Sequence, residues 1–362
     1  MSLAERADRT LSRKGFLQKA IAGLFLHGPW NLAITVVTLA FLAWIAIPII
    51  RWAILDGVWT AGPQACAAEN AGACWAFIGA KLRFILFAFY PPDQQWRPAL
   101  VLAGLVLLLT LSAIPCFWSV RLAGVWFFAF IAIWILMAGT LGLPRVSTNQ
   151  WGGLPITLAV SIAALVLAFP LALVMALARQ SKMGIIRTLA VGYIELLRAV
   201  PMIAVLYIAM LILPMALPGG SMLDKLLRAQ IGVTSFASAY LAEIIRAGLQ
   251  AVPHGQDEAA AALGLTRIHT LRLIVLPQAL RAVIPAIVNL SVGILLNTSL
   301  LAVIGIYDLL NAARASATDP QWLGFYTEAY IFSAVVYFAI SFLASRYSLW
   351  LEGFLKTSQH RP

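Results

Sequence analysis

The chain has 362 residues, 62% of them hydrophobic and only 11% charged, with a formal net charge of +11. Several apolar runs approach the ~20 residues that a helix needs to cross a bilayer core, which excludes a soluble globular fold and predicts an all-α integral membrane protein with about eight transmembrane helices. A closed β-barrel is excluded as well, because it calls for alternating segments of roughly ten residues, whereas Ile156 to Ala178 is apolar with no period of two.

In chain order, the spans are expected near Trp30 to Ile50, Ala99 to Phe117, Leu122 to Leu143, Leu154 to Ala178, Ala199 to Leu217, Ile231 to Ala251, Ala282 to Tyr307 and Phe325 to Leu351. The basic stretch before the first run has the layout of a signal peptide. That run is nevertheless about a full span long and lacks a small-residue cleavage site, so it is expected to be retained. Between the first two spans lies a long loop from Arg51 to Pro98, with a short interfacial helix expected around Lys81 to Tyr90. Cys66 and Cys74 sit in this loop as CAAENAGAC. In an oxidising compartment they would pair, closing a short loop for about 2 to 3 kcal/mol; the alternative is two free thiols. A metal site is not expected, since no His accompanies them and four ligands are lacking. Cys116, at a span end, is expected to pack.

The chain divides unevenly. Residues 1–150 hold an N-terminal cytoplasmic segment, three spans and the long periplasmic loop, and residues 151–362 read as a compact five-helix core. Eight spans place both termini on one side. With that side in the cytoplasm, Arg6, Arg9, Arg13, Lys14, Lys19, Arg121, Arg179, Lys182, Arg187, Arg198, Arg246, Arg267, Arg272, Arg281, Arg346, Lys356 and Arg361 fall inside, and about half as many Lys and Arg outside, as the positive-inside rule requires. A basic inner face beside anionic lipid then accounts for the charge without nucleic acid.

Two positions in the spans need a partner for a carboxylate. Glu195 and Arg198 share a helix face, and Glu243 has Arg246 one turn away; each pair is read as an ion pair, with a gating role as the alternative. The seventh run is interrupted by Asn289, Asn297, Thr298 and Ser299. It is either kinked or lines a polar cavity: these side chains line a polar passage, or they hydrogen-bond between helices. Asp308 and Glu328 are placed near the outer surface, where they could meet a delivery protein.

The polar island PHGQDEAAAALGLTRIHTLRLIVLP, Pro253 to Pro277, separates two apolar runs. Asp257 and Glu258 suit the first turn of a helix, Gly264 a left-handed cap at its end, and Thr266 the start of a second short helix that stops before Pro277. This predicts helix, turn and helix outside the lipid, with a small face at Ala259 to Ala262.

Glu258, Ala259, Ala260, then three residues, Gly264, nine residues, Ile274, one residue, Leu276 and Pro277 fit the EAA loop of the permease subunits of bacterial ATP-binding-cassette importers at every defined position. The chain resembles the polar amino-acid (histidine/glutamine-type) branch in SFASAYLAEIIRAGLQAVPHGQDEAA, LPQALRAVIPAIVN and ELLRAVP, over about Pro155 to Leu351, and the general L-amino-acid permease subgroup in its three extra spans and YPPDQQWRP. The resemblance implies a type I importer core in the bacterial inner membrane, with Asp257, Glu258, Ala259, Ala260, Gly264 and Leu265 docking on an ATPase dimer. It also implies a second, different permease subunit and a periplasmic amino-acid-binding protein. The chain has no GxxxxGK[ST] loop, so ATP and Mg belong to the partner ATPase, and this subunit is expected to hold no cofactor and to be no enzyme. Relatives of this branch commonly carry a Lys before the N/D-T-S-L segment, where this chain has Leu296. An ion-coupled secondary transporter is the alternative, and an intramembrane enzyme is a distant third; the first wants mid-span carboxylates and the second clustered His, Asp or Ser, both scarce here.

Overall fold

The structure is a computed structural model and describes residues 29–60, 62–140, 142–216 and 223–358. The basic residues Arg6, Arg9, Arg13, Lys14, Lys19 and Arg361, and the end of the fifth expected span at Leu217, lie outside the described residues. Among the described residues no strand occurs and six helices are long and apolar enough to cross a membrane, or seven when one bent pair is counted as a single span. The chain forms two compact units, one ending at Gly79 and the other starting at Ala80.

In the first unit, α1 (Pro29–Ile50) exposes apolar side chains on every side, Trp30 and Trp44 among them, as expected of a helix bathed in lipid. It runs into a π-turn, Arg51–Leu55. Such a turn leaves carbonyls without their usual partners, and the loop supplies them: Ala73 N donates to Trp52 O at 2.8 Å and Trp75 Nε1 to Ala53 O at 2.7 Å. Gly72 is required here, since a Cβ would stand 2.2 Å from Trp52 O. Cys66 and Cys74 are joined as a disulfide within the same loop. The helix that follows, α2 (Trp75–Phe87), starts earlier than the expected Lys81.

The second unit opens with a helical hairpin, α3 (Trp96–Ala113) and α4 (Val120–Ala138). A 3-10 turn, Pro115–Phe117, joins them; Cys116 in it is a free, exposed thiol, contrary to the packing expected of it. Arg97 is fully buried, with Nη1 donating to Pro144 O at 2.9 Å. Gly139, at φ +72°, ends α4 where a Cβ would collide with the Pro144 carbonyl.

The centre is α5 (Gly153–Arg179) packed along α8 (Lys225–Ala251). On α5, Ala164, Ala168, Ala172 and Ala176 are fully buried at every fourth residue, and α8 buries small residues of its own such as Ala237 and Ala242, while its Gly232 faces α7 and the π-turn that prolongs it. Stripes of small side chains let helices approach closely without lipid between them. With 27 residues, α8 is about 40 Å long and yet too polar to pass as a span on composition alone. Enclosure by other helices removes the need for an apolar surface.

The fifth expected span, Ala199 to Leu217, is helical from Met202 to Ala216 and begins at a sharp break. α6 (Gly184–Ala199) ends where Val200 turns extended before Pro201, and α7 (Met202–Tyr207), prolonged by a π-turn to Ile212 and a last turn to Ala216, leaves at 110° to it. The residue before a proline avoids the helical region, which places the bend. Arg228 of α8 caps the irregular stretch, Nη1 to Met210 O at 3.0 Å.

After the polar island, α12 (Ile284–Asn297) tightens into a 3-10 helix, Thr298–Ile304, closed by Gly305 at φ +71°. The seventh run is therefore interrupted after Asn297, as a change of helix type. α13 (Leu309–Ser316) and the 33-residue α14 (Tyr326–Ser358) complete the unit.

Candidate functional site

In the polar island, α9 (Gly255–Ala262) carries Asp257 and Glu258 in its first turn. Its end is a Schellman closure: Gly264 N donates to Ala261 O at 3.0 Å, and Leu265 N to Ala260 O at 3.1 Å, with Gly264 at φ +76°. Thr266 then caps α10 (Arg267–Thr270), its Oγ1 accepting from His269 N. The second helix does not stop before Pro277. It widens into a π-turn, Leu271–Val275, and continues as α11 (Leu276–Ala282), with Pro277 in the first turn of the new segment. That is a position where its missing N–H costs nothing.

The island is held to the core at two points. Gln278 Nε2 donates to Gln256 Oε1 at 3.2 Å, tying α11 to α9. Gly248 of α8 lies so close to α11 that a Cβ would sit 2.6 Å from Ala279 O. α9 is thus tied to α11 by a side-chain hydrogen bond, and α11 to α8 by a close approach to backbone.

The burial pattern sorts the expected docking residues. Glu258, Ala259 and Gly264 are exposed, whereas Ala260 is buried against the chain itself and Leu265 is half-buried. Ala260 and Leu265 therefore form the inner side of the closure. Asp257 lines a cavity of about 820 Å³, with Gln250, His254 and Arg267, between the island and the ends of α5 and α8. Sequence reasoning passed over Leu263, 79% exposed, and Ile268, 75% exposed. Large apolar side chains this bare on a polar loop were the available signal.

A charge cluster joins α5, α6 and α8. Arg246 clasps Glu243, with Nη2 to Oε1 at 2.5 Å, and Arg198 stands 3.9 Å from Glu195. Both expected pairs occur, but a residue not singled out connects them: Arg179 Nη1 lies 2.8 Å from Glu195 and 3.2 Å from Glu243. Arg198 also reaches Glu243 at 4.0 Å, making that carboxylate the hub of three guanidinium groups. Because Arg198 immediately precedes the break at Val200 and Pro201, the cluster pins the bend to the ends of α5 and α8.

The interrupted seventh run yields a divided answer. Thr298 is fully buried, its Oγ1 donating to Leu295 O at 2.7 Å. It belongs to an interior polar group in which Asp308 caps α13 and accepts Tyr337 OH at 2.7 Å, and Thr157 Oγ1 accepts from Leu309 N at 2.9 Å. Ser299 is half-buried, its hydroxyl bonded to Leu296 O and its carbonyl accepting from Asn311 Nδ2 at 2.9 Å. Asp308 and Glu328 are buried, so neither is available to a delivery protein; α13 and α14 cover them. Asn289 is exposed and Asn297 half-buried, and among the described residues neither amide has a hydrogen-bond partner in the chain. Asn289 and Leu296 are seven residues apart and share one open face of α12.

No group of three or more His, Cys, Asp or Glu is arranged for a metal among the described residues.

Residues 168–356 match the family model described as binding-protein-dependent transport system inner membrane component. The inner membrane amino-acid ABC transporter permease protein YhdY of Escherichia coli is 40% identical, the match covering 90% of this chain and 90% of the relative. The glutamate/glutamine/aspartate/asparagine transport system permease protein BztC of Rhodobacter capsulatus is 36% identical over 96% of this chain and 95% of its own. Among solved structures, an amino acid ABC transporter crystallised with histidines is 31% identical over 55% of this chain and 91% of that one, with a TM-score of 0.47. The chain belongs to the binding-protein-dependent transport system inner membrane components: it is a non-catalytic, multi-pass permease subunit of an ATP-driven importer, with ATP hydrolysis on a partner subunit and substrate delivered by a binding protein.

Proposed function

We propose that this permease carries L-amino acids across the bacterial inner membrane, with both termini in the cytoplasm, and that it pairs with a second, different permease chain. The substrate class rests on the relatives: two that align over nine-tenths or more of this chain are named as amino-acid permeases. The cytoplasmic placement rests on the basic residues of the island and the cluster, Arg179, Arg246, Arg267 and Arg272. ATP and Mg would be bound by the ATPase dimer, not by this chain.

The observation that carries the coupling role is the exposed end of α9. Glu258, Ala259, Leu263 and, past the turn, Ile268 offer a small, partly apolar knob on a loop braced against α8. Docked in a groove of the ATPase, the knob would pass nucleotide-driven closure to α8 and, through Glu243, to the bend at Pro201. Asn289, exposed and without a hydrogen-bond partner among the described residues, is the best-placed of the four expected passage residues to meet substrate or the second permease, since a bare amide facing lipid is costly. Measuring uptake of labelled amino acids by cells lacking only this chain tests the substrate class. Undiminished uptake of every amino acid tried would refute it.

A further inference from the structure

We infer that Lys225 and Arg228, at the end of α8 away from the island, are positioning residues for transport: they fasten two irregular segments of the core to α8, so that a shift of α8 carries both. The two cations lie one turn apart and share a helix face. Lys225 Nζ donates to Gly305 O, at the close of the 3-10 helix that follows α12, at 2.9 Å. Arg228 Nη1 donates to Met210 O, in the π-turn that prolongs α7, at 3.0 Å. Neither cation has a carboxylate partner among the described residues. Asp224, next to Lys225 in the chain, is already occupied, accepting from Leu226 N, Leu227 N and Thr148 Oγ1.

Both carbonyls are places where a cation is useful. A helix end and a π-turn leave carbonyls without their regular partners, and a bond from a charged donor is stronger than one from a neutral donor. At Gly305, with φ +71°, a Cβ would stand 2.8 Å from Lys225 Nζ, so the ammonium fills the space that glycine leaves. The two fastened segments also meet each other, α7 against the 3-10 helix. Along α8 itself, Ala229, Val233, Ala237, Leu241 and Ile245 are buried at every fourth residue, and a helix so closely packed transmits strain rather than absorbing it. Lys225 lies about 35 Å along α8 from Gly248, where α11 approaches. A displacement at the island end therefore reaches the clamp. Without the two cations, α8 would shift past the irregular segments instead of moving them. The inference rests on the coupling role of α9 for what moves α8.

The test uses the complete transporter, with its ATPase and binding protein, in proteoliposomes, and compares ATP hydrolysed with labelled L-amino acid imported. Lys225→Met and Arg228→Met should each lower uptake severalfold while hydrolysis stimulated by the binding protein stays near that of the wild type, so that ATP consumed per molecule imported rises severalfold. Lys225→Arg, which keeps a cationic donor, should return the ratio to that of the wild type. Gly305→Ala displaces the ammonium without removing a charge; it should raise the ratio as Lys225→Met does, and it serves if that variant does not assemble. A parallel fall of uptake and hydrolysis would overturn the inference by showing a merely structural role, and an unchanged ratio with normal uptake would overturn it outright. Gly264→Asp, made alongside, tests the coupling role apart from the clamp, since it should lose hydrolysis together with uptake. A normal Gly264→Asp beside a raised ratio in Lys225→Met would remove the island from coupling and uphold the clamp.

Discussion

The polar island and the segment from Asn297 to Asp308 are both interruptions of apolar sequence, and they do opposite things. In the island, the backbone is satisfied locally: the Schellman closure at Gly264 and the cap at Thr266 use neighbours in sequence, and large side chains are left bare. In the second segment, Thr298 and Asp308 are drawn inward, and beside their local bonds the segment is tied to distant helices: Asp308 accepts from Tyr337 OH of α14, and Leu309 N donates to Thr157 of α5. A locally closed polar loop keeps its face for a partner. A polar segment satisfied across helices is part of the core.

The largest effect that would test this contrast is at Gly264. An L-side chain at φ +76° is strained by about 1 to 2 kcal/mol, and an aspartate there also places a new charge on the docking face. Gly264→Asp should leave the protein inserted, abolish most uptake and reduce co-purification of the ATPase, with Glu258→Lys acting in the same direction. Because no atom lies within 4 Å of a Cβ built at Gly264, the loss would come from backbone and docking, not from a clash. Normal uptake by both variants would remove the island from coupling.

Next in size is the hub of the charge cluster. Glu243→Gln leaves Arg179, Arg198 and Arg246 without their shared carboxylate. Breaking a buried pair costs about 3 to 5 kcal/mol and an exposed one under about 1, so this half-buried site should lose about 1 to 3 kcal/mol, read as a lower thermal midpoint of the purified complex. Glu195→Gln, at a side chain 51% exposed, should cost about 0.5 kcal/mol or less. Equal effects at the two glutamates would mean that Glu243 is no hub.

How much of this was legible depends on whether an interaction is local. The cap at Gly264, the first-turn carboxylates and the Glu243 and Arg246 pair lie within a few residues of one another, and spacing alone reveals them. Arg179 is missed because its partners are 16 and 64 residues away, and nothing in its neighbourhood marks it out. The inward turn of Asp308 is missed for the same reason. The bend at Pro201 was readable from the proline itself, but the apolar run through it concealed the break. The Ala164, Ala168, Ala172 and Ala176 stripe was also there to be read, and it marks α5 as a close-packed helix rather than a lipid-facing one.

A smaller effect separates the two kinds of polar residue within the seventh run. Thr298→Val removes a buried hydroxyl that bonds Leu295 O and should cost about 1 kcal/mol of stability with no change in which amino acids are carried. Asn289→Ala should leave stability unchanged and alter uptake kinetics or the range of substrates. Altered selectivity in Thr298→Val with a silent Asn289→Ala would reverse the assignment.

The smallest expected effect concerns a loop contact, where satisfaction comes from a single distant partner at the surface. Lys81 Nζ lies 2.6 Å from Asp319 Oδ2, linking α2 to the loop between α13 and α14. The Lys81 hydrogen bond, followed by the Gln321 backbone N–H, holds the Asp319 carboxyl below its ordinary range. A carboxylate depressed in the folded protein contributes stability that is fully present above its unfolded value and is lost as pH falls through the lower folded value. The contact should therefore be constant from neutral pH down to the usual carboxylate range and weaken only below it. Asp319→Asn should remove that acid-range dependence of the thermal midpoint while leaving uptake at neutral pH near normal. An Asp319→Asn protein that loses uptake at neutral pH would instead place this loop among the surfaces that meet a partner, on the side of the molecule away from the island.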